Sequence, residues 1–179
     1  MSKERIQKVL AQNGFSSRRK IESLITEGRV FINDKPAKLG DKISIDEKVF
    51  IDGKEVRLAQ QISPELIMYN KPVGEECTHG SSKKTVFDGL PKPKSGKWIS
   101  IGRLDINTSG LLLITNDGQL ANDIIHPSKE IEREYIVRVR GKPSDSSLKK
   151  LTSGVVIDKK EISFTDLVRG KETSSHTWF

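Results

Sequence analysis

A chain of 179 residues with 34% apolar, 31% charged and 6% aromatic residues has room for one medium domain or two small ones and is too apolar for a disordered polypeptide. No apolar run exceeds four residues, against the roughly 18–20 that span a bilayer, the amino terminus has no apolar signal core, and one cysteine with three scattered histidines makes neither a disulfide framework nor a zinc site. The expectation is a cytoplasmic protein whose net charge of +7, concentrated as seven basic against three acidic side chains in residues 1–30, favours a polyanion partner.

The spacing of Ile6, Val9 and Leu10 predicts a first helix that Asn13-Gly14 stops. Ile21, Leu24 and Ile25 predict a second, capped by Ser16 or Ser17 and closed by Gly28. Arg18-Arg19-Lys20 fall in its first turn, where cations oppose the helix dipole, so their charge is placed for an external anion. Alternation then predicts short strands at Val30–Ile32, residues 43–45 and Val49–Ile51, with turns at Asn33-Asp34 and Asp52-Gly53. Residues 57–64 read as the exit linker of this module.

A strand at residues 66–69 runs into Asn70-Lys71-Pro72-Val73-Gly74. The polar stretch 75–97 follows, anchored by Val86, Phe87 and Leu90; segments this long are functional or disordered. Strands are expected at residues 98–101 and 111–115, then a turn at Asn116-Asp117-Gly118 and a short helix through residues 121–125. A strand over residues 131–140 comes next, and then a helix capped by Ser144, carrying Leu148 and Leu151 and closed by Gly154. Strands at Val155–Ile157 and residues 162–168 precede the terminal run His176-Thr177-Trp178-Phe179. There is no internal repeat of solenoid period.

Asp105 sits between two apolar strands and is followed by Asn, Thr, Ser and Gly, a context that fits an Asx turn and also an active-site carboxylate on a loop held by a rigid sheet. Asp117, in Asn-Asp-Gly, reads as a turn residue. There is no Ser-His-Asp or Cys-His grouping and no second carboxylate in a glycosidase-like context, and Cys77-Thr78-His79 lies in the long polar stretch and is assigned no chemistry.

The seventeen consecutive residues from Gly102-Arg103-Leu104-Asp105 to Asn116-Asp117-Gly118 resemble the signature of the ribosomal RNA pseudouridine synthases, in the branch of small-subunit synthase A and large-subunit synthase B and nearer the latter. Tyr69-Asn70-Lys71-Pro72-Val73-Gly74 is similar to that family's first motif and Glu132-Arg133-Glu134-Tyr135-Ile136-Val137 to its tyrosine motif. Residues 2–48 resemble the S-four type of RNA-binding domain, including Ser16-Ser17-Arg18-Arg19 and Gly28-Arg29-Val30.

The resemblance implies an α+β chain: a helix pair with short strands as an RNA-binding domain in residues 1–56, a linker at 57–64, and a synthase domain with a mixed, mainly antiparallel sheet in residues 65–179. It implies isomerisation of a specific uridine in ribosomal RNA, that of the large subunit, to pseudouridine, by a monomer without metal or other cofactor. Asp105 is then the catalytic carboxylate, as nucleophile or as base. Arg103 and Tyr135 hold and stack on the flipped nucleotide, Lys71 and Thr108 also bind substrate, and Arg5, Lys8, Ser17, Arg18, Arg19, Lys20 and Arg29 face the RNA. The family continues past a strand similar to Thr177-Trp178-Phe179 with a Glu-Gly-Arg-rich motif, a basic helix and closing strands, so a truncated synthase domain is expected. The other reading is a non-catalytic RNA-binding or ribosome-assembly module.

Overall fold

The computed structural model describes residues 3–59 and 63–179, so part of the expected 57–64 linker lies outside the described residues. The chain forms two compact units, residues 1–131 and 132–179, with an α+β architecture.

The first unit opens with β1 (Glu4–Arg5), α1 (Ile6–Gln12) and α2 (Arg18–Thr26). α1 buries Ile6, Gln7 and Leu10, and α2 buries Ile21, Leu24 and Ile25, the faces that the apolar spacing marks out. Ser17 is the cap, its Oγ accepting the Lys20 N–H at 3.3 Å. β2 (Val30–Ile32), β3 (Lys35–Pro36), β4 (Lys42–Ile43), β5 (Val49–Ile51) and β6 (Lys54–Val56) follow, four of them making an antiparallel sheet in the order β3-β2-β5-β6, while β4 pairs with β1. Val30, Ala37, Ile43 and Val49 close the core against the two helices. Asp52 and Gly53, at φ 51° and 73°, form the tight turn between β5 and β6 that Asp-Gly predicts. The strand expected over 43–45 ends at Ile43 instead, because the Glu47 carboxylate accepts the Ser44 N–H at 2.7 Å and turns the chain.

β7 (Leu66–Lys71), β8 (Ile99–Ile101) and β9 (Gly110–Thr115) form an antiparallel sheet with β9 in the middle. Its register puts Ile67, Tyr69 and Lys71 opposite Ile114, Leu112 and Gly110. That face packs on Val86 and Trp98, with Cys77, Phe87 and Leu90 around them. α3 (Gly118–Ile125) is capped by Asp117, whose Oδ1 accepts the N–H groups of Gln119 and Leu120, and α3 packs against β8; Asp117 is structural, as its Asn-Asp-Gly setting predicts.

The 75–97 stretch is ordered without regular structure. Glu76 and Thr85 bridge in parallel, the His79 ring stacks on Phe87 at 3.9 Å, and the Trp98 indole donates to the Pro91 carbonyl at 2.6 Å.

The second unit contains β10 (Arg138–Arg140), α4 (Asp145–Ser153), β11 (Val155–Ile157), β12 (Lys160–Ile162) and β13 (His176–Trp178). β10 pairs with β13 and β11 with β12. Ser144 caps α4 and Gly154, at φ 113°, ends it. Two expected strands are much shorter. Of residues 131–140 only the last three form a strand, because the partner, β13, is itself three residues long. The 162–168 strand stops at Ile162, where Phe164 N–H donates to the Leu151 carbonyl at 3.0 Å and folds the chain onto the end of α4.

Candidate active site

Residues 102–109 connect the adjacent strands β8 and β9, with Gly102 and Gly110 at φ +82° and +136° where the loop leaves and rejoins the sheet. The conformation of this loop is set through its own carbonyl groups. The Lys71 ammonium, fully buried, donates to the carbonyl oxygens of Asp105 at 3.0 Å, Thr108 at 2.8 Å and Pro72 at 3.0 Å. Gly74 N–H donates to the Ile106 carbonyl at 2.7 Å, and Cys77 Sγ to the Leu104 carbonyl at 3.4 Å. Thr108 N–H closes a turn onto the Asp105 carbonyl at 2.9 Å. Four consecutive or near-consecutive carbonyls, those of Leu104, Asp105, Ile106 and Thr108, are thus held from the 71–77 segment.

This tethering leaves the side chains facing out. Arg103, Asp105 and Thr108 are exposed, and among the described residues no group bonds the Asp105 carboxylate. The carboxylate therefore does not serve as the Asx acceptor that its Asn-Thr-Ser-Gly setting also allows; the backbone carbonyl makes the turn. What results is an acid fixed at its main chain and open at its side chain, a disposition suited to attack on, or proton removal from, a bulky substrate.

Lys71, expected to bind substrate, instead positions the loop: its ammonium is enclosed by three carbonyls. Two-residue alternation from Ile67 through Tyr69 places it on the buried face, and that signal was in the sequence. Behind it lies a network that sequence reasoning missed. The buried Glu75 carboxylate accepts the Tyr69 hydroxyl at 2.6 Å and the Lys84 ammonium at 2.8 Å.

Those two bonds, the lysine's first, hold the Glu75 carboxyl below its usual range, and donation to Glu75 pushes the Tyr69 hydroxyl up to about 12. A carboxyl lowered on folding stabilises the fold above its unfolded value, about 4.3, and the stabilisation is lost as pH falls through the folded value. A raised tyrosine acts at the other end: its contribution is complete below about 10 and fades as pH rises toward its folded value. Glu75→Gln should therefore lower the melting temperature at neutral pH and flatten the acid limb of stability, checked by thermal melts from about pH 3 to 8. An acid limb as steep as wild type would show that Glu75 is not one of the groups responsible.

In the helix-pair module Arg18, Arg19 and Lys20 are exposed in the first turn of α2, which carries no acidic residue, and Arg5 is exposed in β1. Lys8 pairs with Glu4 one turn away, and Ser17 uses its oxygen as the cap. Arg29, expected on RNA, is committed within the fold. Its guanidinium donates to both Asp52 oxygens at 2.6 and 2.7 Å and to Glu27 at 2.9 Å, fastening the end of α2 to the β5–β6 turn. The guanidinium holds the Asp52 carboxyl below its usual range, and the Glu27 carboxyl is lowered first by the Ser23 hydroxyl it accepts from and then by Arg29. Tyr135 belongs to the second unit, 54% exposed and ahead of β10; it is neither in the expected strand nor packed in a core.

A family model described as RNA pseudouridylate synthase matches residues 65–179, and one described as the S4 domain matches residues 4–49. Among curated relatives, the chain is similar to ribosomal large subunit pseudouridine synthase B of Vibrio vulnificus, with 45% identity over 98% of this chain and 57% of the relative. It is likewise similar to that of Haemophilus influenzae, with 49% identity over 90% of this chain and 48% of the relative. With the enzyme of Escherichia coli K12 it shares 44% identity over 98% of this chain and 62% of the relative. The chain thus spans about half to six-tenths of the length of these relatives. A solved pseudouridylate synthase superposes with a TM-score of 0.58 at 23% identity, over 97% of this chain and 75% of that one, a likeness of fold. With a family model covering the greater part of its length, and Asp105 exposed on a loop that the fold holds rigid, the chain belongs to the RNA pseudouridylate synthase family.

Proposed function

We propose that this chain carries the RNA-binding part and the catalytic carboxylate of an enzyme that converts a uridine of large-subunit ribosomal RNA to pseudouridine. In this reading residues 1–56 are the RNA-binding domain and residues 65–179 belong to the synthase domain. The observation that carries it is the exposed Asp105 on a loop pinned through four of its carbonyls. Ribosomal RNA of the large subunit as substrate is supported by the names of the relatives. The protein works as a cytoplasmic monomer.

The reaction is an isomerisation and balances within the nucleotide. The bond from N1 to C1′ breaks, a bond from C5 to C1′ forms, the proton at C5 leaves, and N1 gains one. Asp105 serves it either as nucleophile or as the base that begins a glycal-type route. No redox step occurs. Extrusion of the base from a stem costs a few kcal/mol, of which stacking on an aromatic face returns about 1–3. Arg103, next but one to Asp105, offers a cation for the displaced strand.

Incubating the protein with ribosomal RNA from cells that lack its gene, followed by carbodiimide primer extension, should give a new stop at a single uridine. RNA that is bound yet acquires no stop would favour a non-catalytic RNA-binding module.

A further inference from the structure

Two glycines meet where the helix-pair module touches the polar stretch beside the β7-β9-β8 sheet. A Cβ added to Gly14 would come 2.9 Å from the Gly96 carbonyl oxygen, and one added to Gly96 would come 2.5 Å from the Gln12 carbonyl oxygen. Both residues adopt positive φ, +81° and +71°. Side-chain bonds flank the contact: Asn13 Oδ1 accepts the Ala59 N–H at 2.7 Å, and Asn116 Nδ2 donates to the carbonyls of Ser95 at 3.1 Å and Ser63 at 3.0 Å. The turn that ends α1 and the loop at 92–97 are therefore joined backbone to backbone.

Each side of this seam carries cations. Gly14 leads through the Ser17 cap into Arg18, Arg19 and Lys20. Gly96 is flanked by Lys92, Lys94 and Lys97, all exposed, and none of the three has an ion-pair partner among the described residues. Glu65, the carboxylate bonded to this loop, accepts the Lys94 N–H at 2.7 Å and the Asn116 amide at 3.2 Å. Four residues of chain reach at most about 14 Å, so both cation sets lie within two such lengths of the seam, a distance that successive phosphates of one RNA strand cover.

We propose that Lys92, Lys94 and Lys97 form an RNA-phosphate contact surface that continues the Arg18-Arg19-Lys20 cluster across the Gly14–Gly96 seam. The inference rests on the RNA reading above and adds a second patch to it. The close backbone fit holds the two patches in one register, so the RNA gripped by the helix pair runs on over the synthase part.

The test is the salt dependence of ribosomal RNA binding, read by fluorescence anisotropy, for the combined Lys92→Ala, Lys94→Ala and Lys97→Ala variant. The slope of log affinity against log salt should shrink by about 2, each single-strand phosphate contact contributing about 0.7. A charge-matched control, Lys35→Ala, Lys38→Ala and Lys48→Ala on the β3 side of the small sheet, should keep the wild-type slope. A wild-type slope in the first variant overturns the second patch and leaves the RNA reading standing. Equal losses in variant and control reduce the effect to net charge and also overturn it. A wild-type protein that does not bind ribosomal RNA defeats the underlying reading itself.

Discussion

Asp105→Asn should abolish pseudouridine formation, slowing it by about 10³-fold or more, while RNA affinity stays within about twofold of wild type. The substitution keeps the shape of the side chain and removes its capacity to act as nucleophile or base. Nothing in the fold depends on the carboxylate, since it is exposed and the turn at this position is made by the Asp105 carbonyl. A surface change of this kind alters stability by less than about 0.5 kcal/mol. The cations proposed to meet RNA phosphates, Arg18, Arg19 and Lys20, lie on a different element. Primer extension after carbodiimide treatment reads conversion and anisotropy reads binding; a parallel fall in both would make Asp105 a structural residue.

Lys71→Met should be the most destabilising single change in the site, costing about 2–4 kcal/mol, because methionine fills much of the volume yet leaves carbonyls without the donor they share. The three oxygens concerned belong to Pro72, Asp105 and Thr108, so the loss falls on the strand end and on the loop together. Where the variant remains folded, conversion should drop at least about tenfold with RNA affinity nearly intact, because a small displacement of a catalytic group is costly in rate. Thermal melts and single-turnover conversion check both parts. Wild-type conversion by folded Lys71→Met protein would mean that the loop holds its shape without the ammonium.

The helix pair was legible residue by residue. Its apolar spacing, the Ser17 cap and the glycines at 14 and 28 are local signals, and they act within one or two turns of chain. The same holds for Asp117, which caps α3 through its two nearest N–H groups. Strand lengths were less so, because a strand extends only as far as a partner elsewhere in the chain. The alternating pattern at 135–139 says nothing of the brevity of β13, which limits β10 to three residues.

At the site, the sequence pointed to Asp105 by resemblance and left its alternative, an Asx turn, open. Which of the two holds depends on bonds from residues some thirty positions away, Lys71, Gly74 and Cys77, and no local pattern encodes those. Arg29 illustrates the converse. Its charge was legible, but its commitment to Asp52 arises only when the β5–β6 turn is brought against the end of α2. Glu75 was hidden for a related reason: a carboxylate within a polar stretch looks solvated until Tyr69 and Lys84 are seen to enclose it.

The most direct test of the account is a single-turnover experiment with wild-type and Asp105→Asn protein, each in excess over ribosomal RNA and at concentrations that saturate binding. Equal amounts of bound RNA are expected, with pseudouridine formed in the first reaction and none in the second. Pseudouridine formed at a comparable rate by the bound Asn variant would contradict it.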